Sequence, residues 1–321
     1  MAGRNSQSGI ALLLVLWVLT VLMVIVLSFS FTARTETHAT LAFKEGIEKR
    51  FLAEAGMERG IMELFYRQTN KNQAVILEGR EVWKVDGTPH SGEIGGGFYR
   101  VRIIDESGKV NLNQITDANA IMLRTLLTNL GVNAEEVDVI VDSILDWKDS
   151  GDGDAHHTHG VESEYYMSLK NPYEAKNANF DTLEELLLVK GVTSDILYGS
   201  DDRSGLIDFL AIGQAGGAGQ VNISSAPKEV LMATGMPSEV ADEIIAVRQT
   251  KEVAPGEFPA LQPFLQYLTS GTGGNTFEIG AVGYKDDEKT GFAIKATVAV
   301  DFANNKVRYL SYKTPSRIPR E

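Results

Sequence analysis

Asp149, Asp152, Asp154, Glu162 and Glu164 place five carboxylates within the sixteen residues DSGDGDAHHTHGVESE. Carboxylates crowded in this way repel one another unless a cation lies among them, and hard oxygen donors of this kind select calcium. Gly151, Gly153 and Gly160 allow the backbone to turn so that carbonyl oxygens can join the set. The spacing is not that of an EF-hand, because no glycine stands at the required sixth place. His156, His157 and His159 share the loop and leave zinc as a second reading, although H-H-x-H among glycines lacks the helical spacing of a zinc-binding histidine pair. A solvated polar loop without an ion is the third reading.

Catalytic chemistry finds less support. The chain has no cysteine, which removes thiol catalysis and a disulfide framework together. No G-x-S-x-G elbow holds a nucleophile beside the histidines. Gly216-Gly217-Ala218-Gly219 precedes a short strand signal instead of following one, so the context of a phosphate-binding loop is missing. No enzyme is expected. A further covalent event is expected on the chain itself: the polar leader MAGRNSQSG ends at Gly9 directly against an apolar run, and Gly9-Ile10 reads as a prepilin-peptidase junction. An ordinary signal peptide cut near Ser28-Phe29-Ser30 is the alternative, but its apolar segment would be longer than the usual 7–15 residues.

These groups need elements to hold them. Ile10 to Phe31 is uninterrupted by charge and long enough for one membrane-spanning helix. Helix-compatible sequence continues to about Tyr66, with Phe43, Ile47, Phe51 and Ala55 at i+4 spacing and Ile61 and Phe65 beyond them, an amphipathic stripe. Gln68 to Gly97 reads as a polar segment whose glycines mark a loop. Tyr99, Val101 and Ile103 alternate with arginines as in a strand, and a turn at Ser107-Gly108 leads into Lys109–Asn113. Phe292 to Val300 and Lys306 to Tyr312 read as a hairpin closed at Asn304-Asn305. Between them, residues 114–275 read as a helical insertion, with helix starts at Thr116 or Asp117, at Asn133 and at Thr182. GKVNLNQ and GQVNISS open a weak internal repeat, and the second copy is similar to helix-hairpin-helix DNA-binding modules. The basic residues Lys228, Arg248 and Lys251 are few for that use in a chain of net charge −13, so a packing unit is the favoured reading.

The Gly9 junction, the opening IALLLVLWVLTVL and the segment FLAEAGMERG resemble type IV pilin-like proteins, and in particular the minor pseudopilin K (GspK) family of type II secretion systems. Pilins generally carry Glu at the fifth mature position; here that position is Leu14, an apolar residue as is typical of the K family. The resemblance implies an α+β fold, a pilin-like long N-terminal helix with an antiparallel β-sheet interrupted by a large all-helical insertion. The expected division is a leader at 1–9, a transmembrane part at 10–31, the soluble helix and first strands at 32–113, the insertion at 114–275 and the last strands at 276–321. It further implies a single-pass inner-membrane protein with its bulk in the periplasm, processed by prepilin peptidase with methylation. The implied role is a non-enzymatic one at the pseudopilus tip, helping assembly start. Implied partners are other minor pseudopilins, the major pseudopilin and the inner-membrane secretion platform, with no nucleic acid. The family is also known for calcium binding, without pointing to particular ligands here. A minor pilin of a type IV pilus and a periplasmic DNA-uptake module are the alternatives.

Overall fold

The structure is a computed structural model that describes residues 7–70, 82–150, 157–200, 203–213, 219–248, 253–270 and 274–316. Helix α1 (Gln7–Asn70) is continuous over 64 residues, about 96 Å at 1.5 Å per residue. Every residue from Ile10 to Phe31 is exposed. Over this stretch α1 is long and apolar enough to cross a membrane.

The second half of α1 lies on a five-stranded antiparallel sheet. Its strands are β1 (Asp86–Ile94), β2 (Gly97–Asp105), β3 (Thr276–Tyr284), β4 (Phe292–Asp301) and β5 (Lys306–Lys313), in that spatial order. Alternation aims one face at α1: Val101 stands opposite Ala281, Ile103 opposite Ile279, and Ile279 opposite Ala296. Leu52, Ala53, Met57, Ile61 and Leu64 bury the facing side of α1. This is not the expected stripe, since Phe43 and Phe51 remain 71% and 64% exposed. Gly56 and Gly60 explain the choice. A Cβ on either would stand 3.1 Å from a methyl of Val101, so the helix approaches the sheet most closely where it has no side chains. Asp86–Ile94, expected as loop, is an edge strand instead. None of its residues is buried, so no apolar alternation marks it in the sequence, and the glycines form the turn at Gly95-Gly96, both with positive φ.

The chain leaves the sheet after Asp105 and returns at Thr276, and between them a second hydrophobic core extends from Val110 to Leu268. Its helices are α2 (Ala120–Asn129), α3 (Ala134–Lys148), α4 (Ser163–Met167), α5 (Ser194–Tyr198), α6 (Lys228–Ala233) and α7 (Ser238–Val247). Val110-Asn111 belongs here and not with the sheet: it pairs in parallel with Leu210-Ala211 because Val110 and Leu112 are buried in this core. The insertion is therefore helical with short strand pairs stitched in, and it starts several residues before 114. Asn133 caps α3, its Oδ1 accepting from the Glu136 amide at 3.0 Å. The segment after Thr182 is a 3-10 helix, Leu183–Leu188, with Glu185 accepting from the Thr182 amide at 3.0 Å.

The repeat is real as a packing unit. Val221-Asn222 pairs in parallel with Leu268-Thr269, and Asn111 and Asn222 each accept from the backbone amide two residues on, at 3.1 and 3.0 Å. The helices that follow, α2 and α6, pack against each other. Lys228 pairs with Asp242 at 2.7 Å and Arg248 donates to the Ala226 carbonyl at 2.6 Å, so two of the three basic residues serve the fold; Lys251 lies outside the described residues. At the junction of the two cores, fully buried Lys109 reaches Glu106 at 2.9 Å and Glu278 at 2.8 Å, and Lys295 reaches Glu278 at 2.8 Å.

Candidate metal centre and membrane anchor

Helix α3 buries Val137, Ile140, Val141 and Ile144, and beside that face Asp138, Asp142 and Asp146 follow one another at i+4. Arg124 of α2 pairs with Asp138 and Asp142. The returning loop adds the His159 amide, 3.1 Å from Asp142 Oδ2. Burial alone would raise the Asp142 pKa, but the His159 amide and Arg124 outweigh it and hold the carboxylate below its ordinary value.

One turn on, Asp146 is 0% exposed. Its Oδ1 accepts from the His157 amide at 3.1 Å and meets the His157 ring Nδ1, while His157 Nε2 lies 2.8 Å from Asp117 Oδ1. Burial pushes the imidazole pKa down, and the two carboxylates more than reverse this, raising it. Asp146 Oδ2 meets no hydrogen-bond donor among the described residues. Gly160 closes over that oxygen so tightly that a Cβ would fall 1.8 Å from it. Asp149, which ends α3, completes a group in which ligand atoms of Asp146, Asp149 and His157 lie within 4.8 Å of one another. Lys148 ties the end of α3 to the start of the insertion, donating to the Leu112 and Ile115 carbonyls at 2.9 and 2.7 Å, and burial lowers its pKa to about 8.

A buried carboxylate oxygen without a donor among the described residues, a second carboxylate beside it and Gly160 closed over the first offer a cation hard oxygen ligands. Of the expected ligands, Asp149 is in the group. Asp152 and Asp154 lie outside the described residues. Glu162 is the residue preceding α4 and Glu164 is exposed in its first turn; neither belongs to the group. Sequence reasoning passed over Asp146 and gave His157 no particular place. The signal for Asp146 was present, because the Asp138, Asp142, Asp146 series continues to Asp149 along one side of an otherwise apolar helix.

At the other end of the molecule, Gly9-Ile10 lies in the first turn of α1, and Leu14 is exposed within the apolar stretch. A single helix whose first half is an unaccompanied apolar span and whose second half is the spine of an antiparallel sheet defines a type IV pilin-like subunit. The profile of the type II secretion system (T2SS) protein K family matches residues 108–198, within the insertion. The type II secretion system protein K of Pseudomonas aeruginosa is 27% identical over 294 residues, 86% of this chain and 82% of that protein. A putative type II secretion system protein K of Escherichia coli K12 is 23% identical over 204 residues, 60% of each chain. The crystal structure of the GspK-GspI-GspJ complex from the enterotoxigenic Escherichia coli type 2 secretion system contains a chain of the same fold, with a TM-score of 0.53 at 16% identity, covering 89% of this chain and 99% of that one. The chain is thus a relative of type II secretion protein K, with that family's domain at residues 108–198, and these matches support a minor pseudopilin of that system.

Proposed function

We propose that this subunit sits at the tip of the pseudopilus and helps its assembly start. The observation that carries the reading is the insertion, a second hydrophobic core emerging between β2 and β3 of a small pilin-like sheet. A mass of this size on one side of a subunit leaves no room for the same subunit to be stacked repeatedly above it in a tightly packed helical filament. Leu14 supports the same place. An ionised Glu within hydrocarbon costs several kcal/mol unless paired, and a terminal subunit lacks one neighbour to pair with. The subunit is anchored once in the inner membrane by α1 after prepilin peptidase has cut between Gly9 and Ile10, with its bulk in the periplasm, and it has no catalytic role. Its partners are two other minor pseudopilins, by analogy with the complex that GspK forms with GspI and GspJ, together with the major pseudopilin and the inner-membrane platform. Asp146 and Asp149 hold a calcium ion, which supplies the partner that the buried Asp146 Oδ2 lacks among the described residues. Immunogold labelling of pseudopili tests the placement: label confined to filament ends is expected, and label repeating along the shaft would overturn it.

A further inference from the structure

The two copies of the internal repeat correspond beyond their first strands. Each opens on one strand of a parallel pair, runs through two helices joined at a glycine of positive φ, Gly131 or Gly235, and ends on the partner strand. Asn111 and Asn222 hold the same place, so Leu112 corresponds to Ile223 and Ile115 to Ala226. At the end of the second helix of the first copy, Lys148 donates to the carbonyls of Leu112 and Ile115 at 2.9 and 2.7 Å. In the second copy Arg248 donates to the carbonyls of Ile223 and Ala226 at 3.4 and 2.6 Å. The two cations thus make the same pair of bonds, each tying the far end of its helix pair back to the turn where the copy begins. Asp142 and Asp242, six residues before them, each pair with a basic residue of the preceding helix, Arg124 and Lys228.

Lysine suffices for those two carbonyls, whereas a guanidinium carries five donors in a fork and can serve a further partner. That partner is Asp86, whose Oδ2 lies 3.8 Å from Arg248 Nε, with the Arg248 and Asp86 side chains only 7% and 5% exposed. Burial would raise the Asp86 pKa, but hydrogen bonds from Thr88 and the charge of Arg248 outweigh it and hold the carboxylate below its ordinary value. Asp86 pairs in register with Ile104 of β2, and Ile104 with Glu278 of β3. All three are on the sheet face away from α1, because Ile103 and Ile279 next to them are in the core beneath it. Two strand spacings separate Asp86 from Glu278, about 10 Å. Glu278 holds Lys109 at the start of the first copy, and Asp86 holds Arg248 at the end of the second copy's helix pair. We propose that Arg248 is the positioning residue that sets the orientation of the insertion on the sheet: attachment at Glu278 alone would let the insertion swivel, and the second attachment at Asp86 prevents it. Because both attachments lie within one chain, this latch operates wherever the subunit sits in a filament.

Nitroxide labels at Glu93→Cys on β1 and Glu243→Cys on α7, both exposed in a chain without other cysteines, report this orientation by electron–electron double resonance on the full chain in detergent. The unaltered latch should give one narrow distance distribution, and a broad one would overturn the proposal. Arg248→Lys keeps the two carbonyl bonds, as Lys148 does in the first copy, and should broaden or shift the distribution while the melting temperature stays within about 2 °C. Asp86→Ala should broaden or shift it in the same way. Arg248→Met loses the carbonyl bonds as well and should also melt at a clearly lower temperature. Distributions as narrow and as placed in Arg248→Lys and Asp86→Ala as in the unaltered chain would overturn the latch. So would a fall in melting temperature in Arg248→Lys equal to that in Arg248→Met, because the correspondence with Lys148 would then fail.

Discussion

Asp146 shows how a single side chain can be both core and ligand. It is buried at the end of α3, and among the described residues only one of its two carboxylate oxygens meets a donor. Thermal unfolding of the detergent-solubilised chain should show a midpoint several degrees higher in calcium well above its Kd than in EGTA. Asp146→Ala should abolish the difference, and coincident curves for the unaltered chain would remove the site. Gly160→Ala brings a methyl group against Asp146 Oδ2 and should lower the midpoint even in EGTA, by about 1–3 kcal/mol of overpacking. Lys109 makes a second test. Lys109→Met leaves Glu106 and Glu278 without their shared cation and should destabilise by about 3–5 kcal/mol in urea unfolding. Burial alone would raise the Glu278 pKa, but Lys109 and Lys295 hold it at about 2, against an ordinary value of 4.5. A depressed folded pKa contributes stability above about pH 4.5 that is lost as pH falls toward 2. Glu106 has the opposite sign, since burial outweighs Lys109 and raises it. Glu278→Gln should therefore flatten the acid limb between pH 4.5 and 3, and parallel limbs in the variant and the unaltered chain would contradict this assignment.

At the scale of elements, α1 is one helix with two settings, an exposed apolar first half and a second half packed on the sheet. Its register on the sheet is set by Gly56 and Gly60, and that is testable by adding side chains. Gly56→Val or Gly60→Val meets Val101 at 3.1 Å and should cost about 1–3 kcal/mol, whereas Gly46→Ala meets nothing and should be neutral or stabilising by up to about 1 kcal/mol. Melting temperatures of the three variants decide it, and equal losses at all three positions would mean that close approach is not what the glycines provide. The start of the same helix gives a processing test. Gly9→Val should leave the nine-residue leader attached, read by intact mass; a mature chain beginning after Ser30 would identify an ordinary signal peptide and end the pilin-like account of the anchor.

The whole molecule consists of two cores joined through the buried Glu106, Lys109 and Glu278 cluster and the Arg248 to Asp86 contact at 3.8 Å. That junction fixes the insertion to the sheet instead of leaving it on a free linker. If bulk at one end is what excludes the subunit from the shaft, Leu14→Glu should not change its place, and gold label should stay at filament ends. Label appearing along the shaft in that variant would show that Leu14, and not the insertion, sets the position.

Much of this was fixed by local pattern. A charge-free run of more than twenty residues is long enough to span a membrane, and the alternation of Val101 with Ile103, or of Ala296 with Val298, expresses a strand with one dry face. The pilin-like order of helix, strands, insertion and strands was legible for that reason, as was the acidic loop. Tertiary structure decided what depends on closeness between distant residues. The i+4 stripe of Phe43, Ile47 and Phe51 and the face containing Gly56 and Gly60 are both helical faces in one dimension; only the fit against Val101 determines which is buried. Asp86–Ile94 became a strand because β2 offered it an edge, with no buried side chains of its own to announce it. Asp146 became the centre of the acidic group because Gly160 and His157 return to it from across the loop, and side chains brought together by a chain reversal carry no spacing that a sequence can display.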